Sequence, residues 1–356
     1  MYQTDRTKQF VFIEGLRFSA TEVSSVLKNG SEKKGSDFHL ELFRFLNDWF
    51  DPSEEMIVHS SGSTGKPKPM VVKKKFMMQS ACITCDFFGL KPNDRILLCM
   101  SLNFIAGKMM VVRALVAGLD LYLMDPSGNP LKDTDVLFRF ASMVPLQIFN
   151  SLQNPVETER LRKIGVLLIG GGSINSALEN ALKDFPNAVY ASYGMAETLS
   201  HIALRRVNGL DASLNFTPLP SVNLSISEDD ALIIDAPLVC EKRIFTNDVA
   251  EINPDGSFRI LGRKDNVIVT GGLKVQAETL ETTLSTFIHV PFAISSLPDA
   301  KFGEIIVLVV EQPIDESGLI DMLPSFQVPK KILIVKSIPR TESGKIDRAA
   351  LKAILL

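Results

Sequence analysis

The sequence predicts a mixed α/β protein, in which a large layered α/β domain precedes a small α+β domain, and three features predict it. Short aliphatic and β-branched runs alternate with helical periodicity through the first part of the chain. From about Pro218 the texture changes to short runs separated by turn residues. A polar stretch at 263–266 then precedes a compact mixed segment that runs to Leu356. Buried strands alternating with helices require a sheet covered on both faces, which is what α/β layering supplies. At 356 residues the chain is too long for one small core. Residues 1–262 and 263–356 are therefore read as separate domains, joined near residue 265.

Taken in order, strands are expected at Met56–His59, Arg95–Met100, Leu121–Met124, Ile164–Ile169 and Ala188–Ser192, with a helix over Ser176–Asp184. Further strands are expected at Leu224–Ser227, Leu232–Ile234, Ala250–Asn253 and Phe258–Leu261. Asn253-Pro-Asp-Gly256 carries the turn residues that make a hairpin of the last two. Cys82-Ile-Thr-Cys85 has a redox or zinc spacing, but no second pair or paired histidines accompany it. It lies in a helical stretch, so buried thiols are the expectation. The plain reading of Lys73-Lys74-Lys75 is a solvated face.

Hydrophobic residues at 46% and charged residues at 22% are ordinary for a globular chain and exclude disordered and fibrous classes. A balance of 38 Lys+Arg against 41 Asp+Glu, net −3, gives no reason to expect nucleic acid or an anionic membrane as partner. Met1–Lys8 contains no apolar signal core, and the apolar run Ile305–Val310 is too short to cross a bilayer. A cytoplasmic location is the expectation.

The segment His59-Ser60-Ser61-Gly62-Ser63-Thr64-Gly65-Lys66-Pro67-Lys68 is the most informative. Backbone N–H groups and hydroxyls in such a loop can wrap phosphate oxygens, with Lys66 and Lys68 adding positive charge. It is not a Walker A loop, because Gly62 and Gly65 are too close and Pro67 follows Lys66. By composition alone, a polar surface turn reads equally well. The full string Ser-Gly-Ser-Thr-Gly-x-Pro-Lys, however, resembles the phosphate loop of the adenylate-forming superfamily, which includes acyl-CoA synthetases, luciferases and peptide-synthetase adenylation domains.

The resemblance extends along the chain in the family's order. Leu167-Leu-Ile-Gly170-Gly171-Gly172 is similar to the adenine-binding strand and turn, and Ser192-Tyr193-Gly194-Met195-Ala196-Glu197-Thr198 to the Tyr-Gly-x-Thr-Glu signature. Thr246-Asn247-Asp248 stands for the Thr-Gly-Asp segment, Gly262-Arg263-Lys264-Asp265 for the hinge, and Pro339-Arg-Thr-Glu-Ser-Gly-Lys345 for the C-terminal motif. The resemblance implies Mg²⁺-ATP and CoA as co-substrates and a small-molecule carboxylic acid as the group activated. It places adenine against Gly170–Gly172 and Ser192–Met195, and makes Glu197 a catalytic magnesium ligand. Asp248 and Arg263 would hold the ribose, and Lys345 would bridge the carboxylate and the α-phosphate. Asp265 would be the hinge of a mobile C-terminal domain. Gly271-Gly272 would let a pantetheine arm pass, although a plain turn uses such glycines equally well.

Ser142-Met-Val-Pro-Leu-Gln147 is similar to a segment common in 2-succinylbenzoate–CoA ligases. That resemblance implies o-succinylbenzoate, an intermediate of menaquinone synthesis, as the acid. Phe104 would then flank the acyl pocket, and Lys108 would anchor a second carboxylate unless it is merely a helix-surface lysine. The chain departs from the family at Pro69, Ala196, Asn247 and Phe104, where glycine, threonine, glycine and histidine are usual. Other aryl or acyl acids, a carrier-protein thiol as acceptor, and a nucleotide-binding pseudoenzyme remain alternatives. Retention of Lys345, useless to a mere binder, argues against the last. The sequence does not specify an oligomeric state.

Overall fold

The computed structural model describes residues 2–28, 37–59, 68–315, 323–341 and 345–356. The chain divides into two compact units, one comprising Met1–Ser173, Ala181–Asn223 and Asp235–Arg243, the other Ile174–Asn180, Leu224–Ile234 and Ile244–Leu356.

Among the described residues, the first unit is built on a nine-stranded sheet. Its strands run across the sheet in the order Thr217–Pro218, His201–Arg206, Ala188–Gly194, Val166–Ile169, Phe140–Met143, Arg95–Leu98, Asp120–Leu123, Val11–Ile13 and Leu16–Phe18. From Ala188–Gly194 to Val11–Ile13 all pairs are parallel, and only the outer strands turn antiparallel. Central parallel strands are covered on both faces, so they read as continuous apolar runs. Phe140–Met143 and Val166–Ile169 are accordingly buried at every position. In this unit the expected strands start within two residues of their predicted starts, whereas Phe140–Met143 lies outside the expected set; in the second unit the strand expected from Ala250 begins six residues earlier, at Ile244.

The helix Ile105–Ala117 is buried on nearly all sides, as its apolar circumference requires. Helix Asp37–Phe50 instead buries one stripe, Phe38, Leu42, Phe45, Leu46 and Trp49. Its C-terminal end corrects the reading of Lys73-Lys74-Lys75 as a solvated face. Lys74 is wholly buried and its Nζ donates to the carbonyls of Asp48 (2.6 Å), Trp49 (3.1 Å) and Asp51 (3.2 Å). The last carbonyls of a helix lack intrahelical partners and carry the negative end of its dipole, so a buried cation is well placed there. Lys73 pairs with Glu241.

Cys82 and Cys85 lie buried in helix Lys74–Phe88, and Cys99 is buried at the end of a sheet strand. All are free thiols, and burial pushes them up to about 11, 12 and 12 respectively.

The second unit carries the sheet Asn223–Ile226, Ala231–Asp235, Ile244–Ile252 and Phe258–Arg263. The expected hairpin forms, with Ile252 opposite Phe258 and Asn253 N donating to Ser257 O at 2.7 Å. The polar stretch begins later than its composition suggests. Arg263 still belongs to the last strand, and only Lys264–Asn266 makes a single turn. Beyond it, strands Val267–Thr270, Leu273–Gln276, Phe292–Asp299, Gly303–Val310 and Lys331–Ile334 form a further sheet. Period-two alternation sends Ile294, Ile306, Leu308 and Val310 toward Leu280 and Leu284 of helix Ala277–Leu284. The intervening Ala293, Ile305, Val307 and Val309 face Leu351 of helix Arg348–Leu355. Among the described residues, no helix is long and apolar enough to cross a membrane.

Candidate active site

In open α/β sheets ligands gather beyond the carboxyl ends of the parallel strands. In the first unit, Gly170-Gly171-Gly172 follows Val166–Ile169 directly, and Gly170 N donates to Met143 O at 3.1 Å. Ser192, on the neighbouring strand, donates from Oγ to Ile169 O at 2.9 Å, and a Cβ on Gly170 would come within 2.9 Å of that Oγ. Tyr193 and Gly194 end the same strand, with the Tyr193 ring 5.9 Å from that of Phe216. Fold topology thus gathers Gly170, Gly171, Gly172, Ser192, Tyr193 and Gly194 at one sheet edge.

A glycine is obligatory at 194, because a Cβ there would lie 2.3 Å from Ser200 O and 2.6 Å from His201 Cα. That close approach belongs to the loop carrying Met195, Ala196 and Glu197. Thr198 Oγ1 accepts from Met195 N at 3.0 Å and lies 2.8 Å from Ser200 O, to which it donates. Ala196 is buried, whereas Glu197 is exposed. Among the described residues no group of three or more His, Cys, Asp or Glu could hold a metal ion. A single exposed carboxylate fits Mg²⁺ arriving on a triphosphate, since that ion keeps water and phosphate oxygens as most of its ligands.

Ser60, Ser61, Gly62, Ser63, Thr64, Gly65 and Lys66 lie outside the described residues. Their flanks, Glu55–His59 and Pro69–Lys73, form an antiparallel ribbon with His59 opposite Pro69, and Lys68 is exposed. His59 also bridges Phe104 in parallel register, which brings the foot of this loop to the start of helix Ile105–Ala117. Lys108, one turn on, is half-buried rather than on the helix surface, with Nζ 5.2 Å from the Phe45 ring centroid. Burial lowers its pKa, against the opposing pull of Glu41 and Asp48.

The second unit gathers the other predicted polar residues. Asp248 and Arg263 are register partners on adjacent strands, and Arg263 NH1 donates to Asp248 Oδ1 at 3.1 Å. Arg263 NH2 donates to Asp265 Oδ2 at 3.0 Å, and Asn247 Nδ2 donates to the same oxygen at 3.2 Å. The asparagine at 247 therefore holds the turn that contains Asp265, a contact the family's usual glycine cannot make. Lys345 is within electrostatic reach of this cluster. Desolvation lowers its pKa, Asp248 opposes that, and the Arg263 charge reinforces it.

Gly271 and Gly272 connect Val267–Thr270 to Leu273–Gln276, with Thr270 opposite Leu273 and φ values of 57° and 81°. Positive φ at both central residues defines the hairpin turn that glycine and asparagine favour. The turn alone accounts for both glycines.

Two buried features were not read from the sequence as functional. Gln147 donates from Nε2 to Cys99 O (2.9 Å) and Ser127 O (3.0 Å) and accepts from Val144 N (3.1 Å), which ties together loops at the carboxyl edge. Arg113 is a lone charge in the otherwise apolar run Met109–Ala117 and reaches Ser200 Oγ at 2.6 Å. That isolated charge was the available signal.

Fold and site together define a nucleotide-binding α/β enzyme, and the chain belongs to the family of AMP-binding enzymes, whose model matches residues 19–240. By class it is an AMP-forming acid–thiol ligase. The chain is 32% identical to the acyl-CoA synthetase (AMP-forming)/AMP-acid ligase II-like protein of Dyadobacter fermentans, with a TM-score of 0.63 over 93% of this chain and 98% of that one. It is 26% identical to the 2-succinylbenzoate–CoA ligase of Listeria innocua, over 83% of this chain and 69% of the relative. The o-succinylbenzoate coenzyme A synthetase of Bacillus subtilis, in complex with ATP and magnesium ion, shares the fold at 20% identity. Its TM-score is 0.69, covering 94% of this chain and 82% of that one.

Proposed function

We propose that this enzyme activates o-succinylbenzoate with Mg²⁺-ATP and transfers the acyl group to CoA, a step of menaquinone biosynthesis in the cytoplasm. The observation that supports the catalytic reading is the cluster in which Arg263 joins Asp248 (3.1 Å) and Asp265 (3.0 Å), with Lys345 within electrostatic reach of Asp248 and Arg263. The choice of acid is supported by the names of the curated relatives and by the Val144-Pro-Leu-Gln147 segment.

In the first half-reaction an oxygen of the substrate carboxylate attacks the α-phosphorus of ATP, and the bond to pyrophosphate breaks. Gly170–Gly172 and Ser192–Met195 hold the adenine, the loop from Ser60 through Lys66 to Lys68 holds the phosphates, and Glu197 takes the magnesium of the substrate. Asp248 and Arg263 hold the ribose. Lys345 stabilises the negative charge shared by carboxylate and phosphate as they meet. In the second half-reaction the thiolate of CoA attacks the acyl carbonyl and AMP departs. Residues 263–356 rearrange about Asp265 between the steps, with Gly271 and Gly272 beside the pantetheine arm. Phe104 flanks the acyl pocket. The structure places Lys108 over Phe45, so its assignment to the second carboxylate depends on the same test as the acid.

The test is acid-dependent pyrophosphate release from Mg²⁺-ATP, with and without CoA, comparing o-succinylbenzoate with benzoate, coumarate and fatty acids. Release specific to o-succinylbenzoate with a CoA thioester as product is expected. Release with a different acid would discard the substrate and keep the mechanism. Adenylation without a CoA thioester would point to a carrier-protein thiol as acceptor.

A further inference from the structure

We propose that Arg113 is a positioning residue for Glu197, acting through the side chain and backbone of Ser200. The role of Glu197 itself rests on the ligase reading above.

Arg113 is 2% exposed, deep in helix Ile105–Ala117. Among the described residues no carboxylate forms an ion pair with it. Its Nε is buried without a hydrogen-bond partner, and NH1 lies 3.5 Å from Met110 Sδ. Its one strong acceptor is Ser200 Oγ, at 2.6 Å. A buried guanidinium with so little compensation is costly, and apolar side chains pack such helices as well or better. Its one strong contact is therefore where its benefit lies.

That contact sets the direction of a longer relay. Because Ser200 Oγ accepts from Arg113, its own proton is free to go to His201 Nδ1, 3.3 Å away. His201 Nε2–H then donates to Thr84 Oγ1 at 3.3 Å, and Thr84 donates to Ser80 O at 3.0 Å. Each hydroxyl accepts one bond and donates one, and each ring nitrogen has a single role, provided the imidazole is neutral. Burial and the Arg113 charge keep it so, holding the His201 pKa well below its usual value.

The backbone of Ser200 is held as firmly as its side chain. Ser200 O accepts from Thr198 Oγ1 at 2.8 Å. Leu199 between them adopts φ 66° and ψ −37°, with Ser200 N donating to Thr198 O at 2.7 Å, a strained three-residue turn that a bulky residue holds only when its surroundings impose it. Glu197 directly precedes this braced segment. Arg113 thus couples the helix Ile105–Ala117 to the loop that presents the magnesium-binding carboxylate.

The experiment uses Ser200→Ala, Arg113→Met and the double variant in the full chain. Read-outs are amide hydrogen exchange of residues 197–201 without nucleotide, the Mg²⁺ dependence of acid-dependent pyrophosphate release, and the thermal midpoint. Faster exchange at 197–201 is expected in each single variant. Half-saturating Mg²⁺ should rise about 10- to 100-fold, the range for outer partners of metal ligands, with the half-saturating acid concentration unchanged. The double variant should be no worse than Arg113→Met alone. Unchanged exchange and Mg²⁺ dependence in Ser200→Ala would overturn the proposal, as would a loss spread evenly over acid, ATP and Mg²⁺. Should Arg113→Met fail to fold, Ser200→Ala decides alone. If the native enzyme releases no pyrophosphate with any acid, the ligase reading fails, while hydrogen exchange still decides whether Arg113 braces the loop.

Discussion

Asp248 and Arg263 sit directly opposite each other on antiparallel strands and are joined by an ion pair of 3.1 Å. Arg263 also reaches Asp265, 3.0 Å away, so one guanidinium spans the residue proposed to hold the ribose and the residue proposed as hinge. Substitutions in this cluster should separate the two half-reactions.

Asp248→Asn keeps the shape and removes the charge that accepts from Arg263 and from the proposed sugar hydroxyls. Hydrogen bonds to a charged group contribute about 1.5–3 kcal/mol, so the KM for ATP should rise roughly 10- to 100-fold. Steady-state kinetics of pyrophosphate release against ATP concentration check this. An unchanged KM would remove Asp248 from the nucleotide site.

For Lys345, the lowered pKa makes a prediction whose sign can be worked out. The ammonium form stabilises the developing charge, and it is lost as pH rises through a pKa that lies below the ordinary lysine range. The alkaline limb of adenylation should therefore fall at lower pH than for a solvated lysine. Lys345→Arg, which keeps its charge throughout, should be slower but lose that limb. Lys345→Ala should bind ATP by calorimetry and release no acid-dependent pyrophosphate; undiminished release would refute the assigned role.

The Gly271-Gly272 turn permits a clean separation of roles. Asparagine tolerates left-handed backbone and favours this position of a hairpin turn. Gly271→Asn should preserve the fold, and a Cβ there would meet Phe302 Cδ1 at an ordinary 3.4 Å. If a pantetheine arm passes this turn, the added side chain should slow thioester formation and leave adenylation intact. Equal rates in both half-reactions would leave the glycines as turn residues only.

Lys74→Met is expected to cost stability and spare chemistry. Three carbonyls lose a donor, although Arg6 still reaches Trp49 O at 3.0 Å and Asp51 O at 2.9 Å. Leaving part of a buried acceptor set unsatisfied costs about 1–3 kcal/mol. Denaturant melts would show it as a lower midpoint at unchanged slope. A midpoint equal to that of the native chain would contradict the account.

What could be read in advance followed from local patterns. The strand runs from Met56 to Ala188, the Asn253–Gly256 hairpin and the gathering of Gly170–Gly172 with Ser192–Gly194 each depend on periodicity, turn chemistry or an intact motif. Phe140–Met143 escaped notice because Phe-Ala-Ser-Met has little β-branching; it is a strand because its neighbours on both sides need a partner. Lys74 was misread for a related reason, since nothing local distinguishes a lysine beside two solvated ones from a lysine under a distant helix end. Long-range polar contacts, such as Arg113 to Ser200 and Gln147 to Cys99 O, are invisible to any short window.

The burial of Cys82, Cys85 and Cys99 bears on an enzyme proposed to handle a thiol co-substrate. With their pKa values at about 11 to 12, these sulfurs carry almost no thiolate at neutral pH, and thiolate is the form that exchanges with disulfides. Oxidised CoA therefore has one accessible target, the half-buried Cys240. Maleimide labelling of the native protein should stop at a single adduct on that residue. A lone dye or cross-linker can thus be installed without mutating the other three.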